Sequence, residues 1–390
     1  MENNISRRHW LKNAGLLSTG FGSLLIGGNA FANEQNPLSA FDRSNDFKEQ
    51  FVRLFYNENP YGPPEGALAK VMEVANRGNR YSTFSTYDFE ALRAKIAAEE
   101  GLTKDHVLLG HGSFQPIIWI AEHFIQKEGE IIVPSPTFDI VGMYARKLGA
   151  KTRAIEVNEK MEMNLVAMEK AINNQTSLVC VCHPNNPTGT LVDPVQLNDF
   201  CETVTKKCPV FVDEAYIQYT DAVPNWRNAS MVSQIKAGND VIVSRTFSKV
   251  YGMAGFRIGY LLAKPELIKS LNDRFTLGFP GNMPNTLSVA AAIGALEDNA
   301  FLEQSKQKNR AAKTNFYKQL QDLNLPHVPT QANFIYFKVP DFPKFKKLMN
   351  DNKVLLAGGW PSKPNWARVT LGKNEELDVF YELLNKEDWR

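Results

Sequence analysis

The sequence predicts an α/β protein in which a mostly parallel sheet, covered on both faces by helices, is joined to a smaller α+β unit. Two observations carry this. Between about residues 76 and 290, short β-rich runs alternate with longer stretches of helical pattern, and strands separated by crossover helices argue for a parallel sheet. After residue 323 the alternation gives way to short strands with two isolated helices. Composition sets the outer bounds. A chain of 390 residues, 43% of them hydrophobic, is long enough for two domains with a cleft between them and too apolar to be disordered. The balance of 44 Lys+Arg against 42 Asp+Glu, net +2, gives no excess charge to attract nucleic acid or an anionic membrane. A small-molecule partner is expected.

In chain order, the strand candidates are His106–Gly110, Glu130–Pro134, Ser177–Cys182, Pro209–Asp213, Asp240–Ser244 and Phe256–Leu262. Helical patterns fill the gaps at Phe114–Lys127, Phe138–Leu148, Pro194–Lys207 and Pro265–Phe275, and one long helical stretch follows at Leu287–Leu323. The smaller unit then reads as strand Asn333–Phe337, a helix around Phe342–Asn350, strand Arg368–Leu371 and a last helix from Glu375. In such sheets ligands bind beyond the C-terminal ends of the strands. Motifs with chemistry should therefore stand just after strands.

The first residues read differently. Ser6-Arg7-Arg8-His9-Trp10-Leu11-Lys12 precedes a weakly apolar run from Ala14 that ends in Ala30-Phe31-Ala32. A charged start, an apolar middle and an A-x-A end describe a removable export signal, with a basic N-terminal tail as the plainer alternative. The paired Arg7-Arg8 resembles the twin-arginine signal of bacteria, with Trp10 where phenylalanine is usual. Gly15, Gly20, Gly22, Gly27 and Gly28 make the run a poor membrane span. Residues 1–32 are expected to be a signal peptide read by the twin-arginine export machinery, and the mature protein to be periplasmic or exported. Arg7, Arg8 and Lys12 against Glu2 account for the whole net charge, so the remainder is balanced.

Four short motifs then stand where strands end. Ser244-Arg245-Thr246-Phe247-Ser248-Lys249, followed by Gly252-Met253-Ala254-Gly255-Phe256-Arg257, places a lysine in a Ser/Gly-rich turn after an apolar strand. An unpaired buried ammonium is costly, and covalent use of the amine as a Schiff base removes that cost. A surface loop lysine is the plain alternative, and Ser-x-x-Lys also occurs in serine acyl-enzymes. Val212-Asp213-Glu214-Ala215-Tyr216 ends a second strand; Asp213 can pair with a protonated pyridine nitrogen, or simply cap a helix. His183-Pro184-Asn185-Asn186-Pro187-Thr188-Gly189 is a turn in which Asn186 can donate to a phenolate oxygen. Gly110-His111-Gly112-Ser113 lies between strand and helix, where backbone N–H groups and the helix dipole can hold a phosphate. His106, His111 and His123 have no supporting ligand cluster, so no metal is expected. Cys180, Cys182, Cys201 and Cys208 lack the usual zinc spacings and read as buried small hydrophobes.

These pieces, in this order, resemble the fold-type-I pyridoxal-phosphate aminotransferases, most closely the histidinol-phosphate aminotransferase-like branch. Further matches are Asn57-Glu58-Asn59-Pro60-Tyr61-Gly62, Arg80-Tyr81, Pro134-Ser135-Pro136-Thr137-Phe138, Asn333-Phe334 and Ala367-Arg368-Val369-Thr370, so the similarity runs from about Leu54 to the C-terminus. The resemblance implies a large domain over 76–290 with a seven-stranded sheet, and a small domain assembled from 33–75 and 291–390. It also implies pyridoxal 5'-phosphate as cofactor, with Lys249 as its covalent anchor and proton carrier, Asp213 on the pyridine nitrogen, Tyr216 and Asn186 on the 3'-oxygen, and Phe138 stacked on the ring. Gly112, Ser113 and Phe114 would hold the phosphate with Ser248 and Arg257, and Tyr81 would reach in from the second subunit of a homodimer. Arg368, assisted by Asn333 and Asn59, would bind the substrate carboxylate. The implied reaction is ping-pong transfer of an amino group between an amino acid and a 2-oxo acid.

Two departures bear on the substrate. The branch normally carries an arginine, which helps hold substrate phosphate, where this chain has Ala357, and Phe114-Gln115 replaces the usual acidic pair or Ser/Thr-Glu. Together with export, these favour an amino acid with an aromatic or other apolar side chain over histidinol phosphate. A lyase or decarboxylase on the same scaffold, or an exported binding protein without chemistry, are the other readings.

Overall fold

A computed structural model describes residues 51–80, 86–125, 129–278 and 284–390. The signal expected over 1–32, and Tyr81, expected to reach in from a second subunit, lie outside the described residues. From Phe51 to Arg390 the chain forms one compact unit built on two sheets.

The first elements are β1 (Val52–Leu54), α1 (Glu65–Val74), α2 (Thr86–Glu100), β2 (Val107–Gly110), α3 (Phe114–Phe124), β3 (Glu130–Ser135), α4 (Ile140–Lys147) and β4 (Lys151–Glu156). There follow α5 (Leu165–Ala171), β5 (Thr176–Cys182), α6 (Pro194–Val204), β6 (Val210–Asp213), α7 (Val232–Lys236), β7 (Val241–Thr246), β8 (Gly259–Leu262) and α8 (Pro265–Thr276). The chain ends with α9 (Thr286–Glu297), α10 (Asn299–Asp322), β9 (His327–Val328), β10 (Phe334–Lys338), α11 (Phe342–Asp351), β11 (Val354–Trp360), β12 (Lys363–Thr370) and α12 (Asn374–Leu384).

The seven-stranded sheet runs β2-β8-β7-β6-β5-β3-β4, parallel except for β8, which is antiparallel to both neighbours. Its central strands are covered on both faces, which is why Leu178–Cys182, Val210–Val212 and Val241–Val243 are continuous apolar runs rather than alternating ones. The cysteines belong to this core: all four are free and buried. The five-stranded sheet runs β1-β11-β12-β10-β9, with β1 parallel to β11 and the other pairs antiparallel. Alternation is clean here. Ile335, Phe337, Ala367 and Val369 face a core with Phe316, Phe345 and Phe380, while Phe334, Tyr336, Arg368 and Thr370 face the opposite way.

Three sequence expectations change. The stretch Leu287–Leu323 is two helices, because Asp298 leaves the helical region at φ −97°, ψ 72° and its carboxylate accepts from Phe301 N–H to cap α10. Strand Phe256–Leu262 starts three residues later: Ala254–Phe256 is a 3-10 turn ended by Arg257 in the left-handed region at φ 53°. Strand β4 escapes the sequence pattern because it is a charged edge strand, Lys-Thr-Arg-Ala-Ile-Glu, with little apolar surface to bury.

Candidate active site

The C-terminal ends of β5, β6 and β7 carry the reactive groups. Asp213, the last residue of β6, is in register with Ser244 of β7, and its carboxylate accepts from Ser244 Oγ (2.8 Å) and Ala215 N–H (3.2 Å). Burial pushes its pKa up to about 6, opposed by those two donors and by the charge of Lys249. Lys249 stands three residues beyond β7. Its Nζ donates to Tyr56 O (2.8 Å) and lies 5.6 Å from the centre of the Tyr216 ring. Burial lowers the amine to about 7, helped by the nearby Arg368 and Arg257 charges and opposed by Glu58 and Asp213.

Above Lys249, two asparagines converge on one phenol. Tyr216 Oη accepts from Asn57 Nδ2 (2.9 Å) and Asn186 Nδ2 (3.4 Å), and burial raises its pKa. Asn57 is held in the left-handed region at φ 55°, and Thr370 Oγ1 accepts from its N–H at 2.9 Å. The turn carrying Asn186 is itself braced: Asn185 Oδ1 accepts from Thr137 Oγ1 (2.8 Å), and its Nδ2 donates to Pro136 O (3.0 Å). Phe138 follows that brace with its ring 39% exposed, a free aromatic face at the end of β3.

Arg368 enters from the five-stranded sheet. Nη1 donates to Asn186 Oδ1 and Nη2 to Phe55 O (2.6 Å), while the buried Nε has no partner among the described residues. Phe334 and Trp360 lie against the guanidinium at 5.4 and 5.8 Å, and burial lowers its pKa to about 10. Asn333 Nδ2 donates to Asn57 O (3.0 Å), and its buried Oδ1 is likewise unpaired. Such orphans in a native interior call for an absent partner. Asn59 differs: its amide donates to Val250 O (2.8 Å) and Ser305 Oγ (3.0 Å), so its side chain fastens the loop after Lys249 and presents no free polar group.

A turn built to accept an anion lies at the end of β2. Gly112 has φ +66°, and a Cβ there would meet Arg257 Nη2 at 2.6 Å; one on Gly259 would meet Ser113 N at 2.5 Å. Only glycine lets the turn, β8 and the guanidinium pack this closely. Ser113 is the N-cap of α3 without a side-chain capping bond, leaving first-turn N–H groups for an anion. Arg257 Nη1 reaches Ser248 Oγ (3.4 Å), whose backbone N–H donates to Thr246 Oγ1 (3.1 Å). A half-buried amine, a buried carboxylate, a phenol with two amide donors and this turn fit pyridoxal phosphate.

Sequence reasoning missed four supporting residues: Asn57, Ser244, Thr246 and Thr370. Ser244 was within reach, since strand register places it beside Asp213. Thr246 bonds the Ser248 hydroxyl and N–H two residues on, within its own turn, whereas Asn57 and Thr370 depend on partners distant in the chain, which no local pattern encodes.

Comparison with known proteins gives a concordant result. Residues 49–384 match the family described as "Aminotransferase class I and II". A curated relative, a histidinol-phosphate aminotransferase of Moorella thermoacetica, is 34% identical over 354 residues, covering 90% of this chain and 88% of its own length. A putative histidinol-phosphate aminotransferase of Erwinia carotovora atroseptica superposes with TM-score 0.81 at 27% identity, covering 87% of this chain and 97% of that one. The fold is shared by a histidinol-phosphate aminotransferase of Sinorhizobium meliloti solved with pyridoxal-5'-phosphate, TM-score 0.76 at 20% identity, covering 91% of this chain and 97% of that one. With nearly the whole described chain inside the match, the protein belongs to the class I and II aminotransferase family.

Proposed function

We propose that this aminotransferase uses pyridoxal phosphate to move an amino group between an α-amino acid and a 2-oxo acid in two half-reactions, with the residues above as its machinery. The observation that carries the reading is the convergence of Lys249, Asp213, Tyr216 with Asn186, and Arg368 around one space bounded by the Gly112–Arg257 cradle. Bound there, the cofactor supplies an aldehyde for attachment of amines and a protonated ring that draws electrons from the substrate Cα. Arg368 binds and orients the substrate carboxylate, a planar match that guanidinium makes with two parallel bonds. Lys249 would take the proton from the substrate Cα and deliver it to the cofactor carbon on the other side of the amino nitrogen; an amine with a pKa near 7 is matched to both directions at neutral pH. Asp213 would hold a proton on the pyridine nitrogen. A ping-pong assay across amino acids and 2-oxo acids tests this. Release of ammonia or carbon dioxide without stoichiometric keto acid would overturn it in favour of a lyase or decarboxylase.

The lowered Lys249 pKa makes a further prediction. Only the free amine attacks an aldehyde, and it gains that form as pH rises through its pKa. Cofactor uptake by the apoprotein, followed by stopped-flow absorbance, should therefore rise with pH to a plateau with a midpoint near 7. A midpoint near the ordinary lysine value, about 10.4, would contradict the burial described.

The relatives' names raise histidinol phosphate as substrate, but Ala357 favours an uncharged side chain. In the sheet Ala357 lies directly across from Arg368, so the cross-strand neighbour of the guanidinium is a methyl group, and Trp360 and Tyr336 add aromatic walls. An Ala357→Arg variant should improve kcat/KM for a phosphate-bearing amine by roughly 10- to 100-fold, from one charge-assisted contact of about 1.5–3 kcal/mol, and lower it for aromatic amino acids. No change in that ratio would remove position 357 from substrate choice.

Export by the twin-arginine route rests on Arg7-Arg8 and the Ala30-Phe31-Ala32 end. Fractionation of cells carrying Arg7→Lys/Arg8→Lys, with the protein kept in the cytoplasm, is the supporting outcome. The homodimer rests on the expectation for Tyr81, and an active monomer on sedimentation would refute it.

A further inference from the structure

Directly behind Asp213, on the reverse face of the seven-stranded sheet, lies a cluster of buried charge that the chemistry above does not use. Strand alternation builds it. Asp213 and Ser244 are register partners facing the site, so the next residues, Glu214 and Arg245, face the other way. Glu214 and Arg245 are fully buried and Glu100 is 5% exposed. Arg245 Nε donates to Glu214 (2.9 Å), Nη1 to Glu100 (2.8 Å) and Nη2 to Ser230 Oγ (2.7 Å). The Ser230 hydroxyl donates to Glu214 Oε2 (2.8 Å), and Met231 N–H donates to Oε1 (2.7 Å). Arg227, half in solvent, balances the second carboxylate at 3.4 Å from Glu100, and Trp226 stacks under both guanidinium groups.

This cluster is a costly way to hold a sheet together. Taking an arginine and two carboxylates out of water is repaid only by near-perfect geometry, and well-packed apolar residues often serve stability as well or better. What the geometry of such a pair can add is a fixed distance and angle between two backbones. Here the two backbones are the ones that carry Asp213 and, through Thr246 and Ser248, Lys249.

We propose that the Glu214–Arg245 ion pair is a positioning device: by clamping the ends of β6 and β7 from behind, it holds the Asp213 carboxylate and the Ser248–Lys249 turn at the spacing the cofactor ring requires. The inference rests on the roles given to Asp213 and Lys249 above. Glu214 N–H donating to Ser244 O (2.9 Å) joins the same two strands between the front and back rungs. The front rung, Ser244 Oγ to Asp213, and the back rung, Arg245 to Glu214, thus sit on adjacent residues of the same two backbones.

The test is Glu214→Leu/Arg245→Met, which replaces the pair with apolar side chains and leaves Glu100 its partner Arg227. The expected result is a melt that stays cooperative but shifts down, since the Met231 N–H and Ser230 hydroxyl lose their acceptor, with cofactor dissociation constant raised by about tenfold or more and kcat lowered up to about 100-fold, as a misplacement of about 1 Å costs. The KM for the amino acid should change little, because Arg368 stands on the other sheet. Affinity is read by absorbance titration of apoprotein with pyridoxal phosphate, independently of turnover. Glu214→Gln, nearly isosteric, gives the same reading should the double variant fail to fold. A folded variant with wild-type affinity and kcat overturns the inference. A wild type that neither binds the cofactor nor transaminates overturns the underlying reading instead.

Discussion

Replacing Lys249 by alanine is expected to lower the amino-acid half-reaction by at least about 10³-fold while leaving the protein folded. General acid–base transfer contributes on the order of 10²–10⁴, and no other described side chain is placed to take over: the phenol of Tyr216, held as an acceptor by Asn57 and Asn186, has its pKa raised by burial. Cofactor should still bind through the cradle and Asp213, so absorbance of the bound group, shifted by loss of the covalent link, separates lost chemistry from lost binding. Stability should move in the opposite direction. Folded Lys249 titrates near 7 and unfolded lysine near 10.4, so between these values the unfolded chain holds more protons and stability rises with pH. The cost of the amine is thus fully present below about pH 7 and gone above about 10.4. Apoprotein carrying Lys249→Met, which keeps the packing, should melt above wild type at pH 6–7 and lose that advantage by about pH 10. A single-turnover rate within tenfold of wild type, or a variant that melts lower at neutral pH, would dispose of the role.

Much of this site is legible in the chain because it is local to strand ends. Asp213, Asn186, Lys249 and the Gly112–Ser113 turn each follow an apolar run directly, and a parallel sheet brings such ends to one edge whatever the intervening helices do. The parts that stay hidden are those made by two sheets meeting. Asn57 gives no signal as a partner of Tyr216, because Tyr216 and the Thr370 hydroxyl that accepts from its N–H lie 159 and 313 positions away. Asn59, which the resemblance sets beside Arg368 at the substrate carboxylate, has its amide on Val250 and Ser305 instead. The break at Asp298 shows the limit of periodicity in the fold itself: two helices end to end keep an apolar rhythm that only the capping geometry interrupts.

The second large effect concerns Arg368. Its guanidinium is buried, keeps one unpaired Nε, and is held by Phe55 O and Asn186 Oδ1, acceptors that leave it net positive. In the proposed reading an α-carboxylate would supply the missing counter-charge. With two charge-assisted bonds of about 1.5–3 kcal/mol each, Arg368→Ala should reduce kcat/KM for amino acids by roughly 10²–10⁴. Arg368→Lys should recover only part of it, because an ammonium cannot form the two-point fork. The discriminating control is a primary amine without a carboxylate. It never uses the fork, so its slow half-reaction should be the same in wild type and Arg368→Ala, and cofactor affinity should be unchanged within a few-fold. If the carboxylate-free amine loses as much as the amino acid, Arg368 acts through Asn186 and Tyr216 on the cofactor side of the site, and substrate carboxylate recognition must be sought elsewhere.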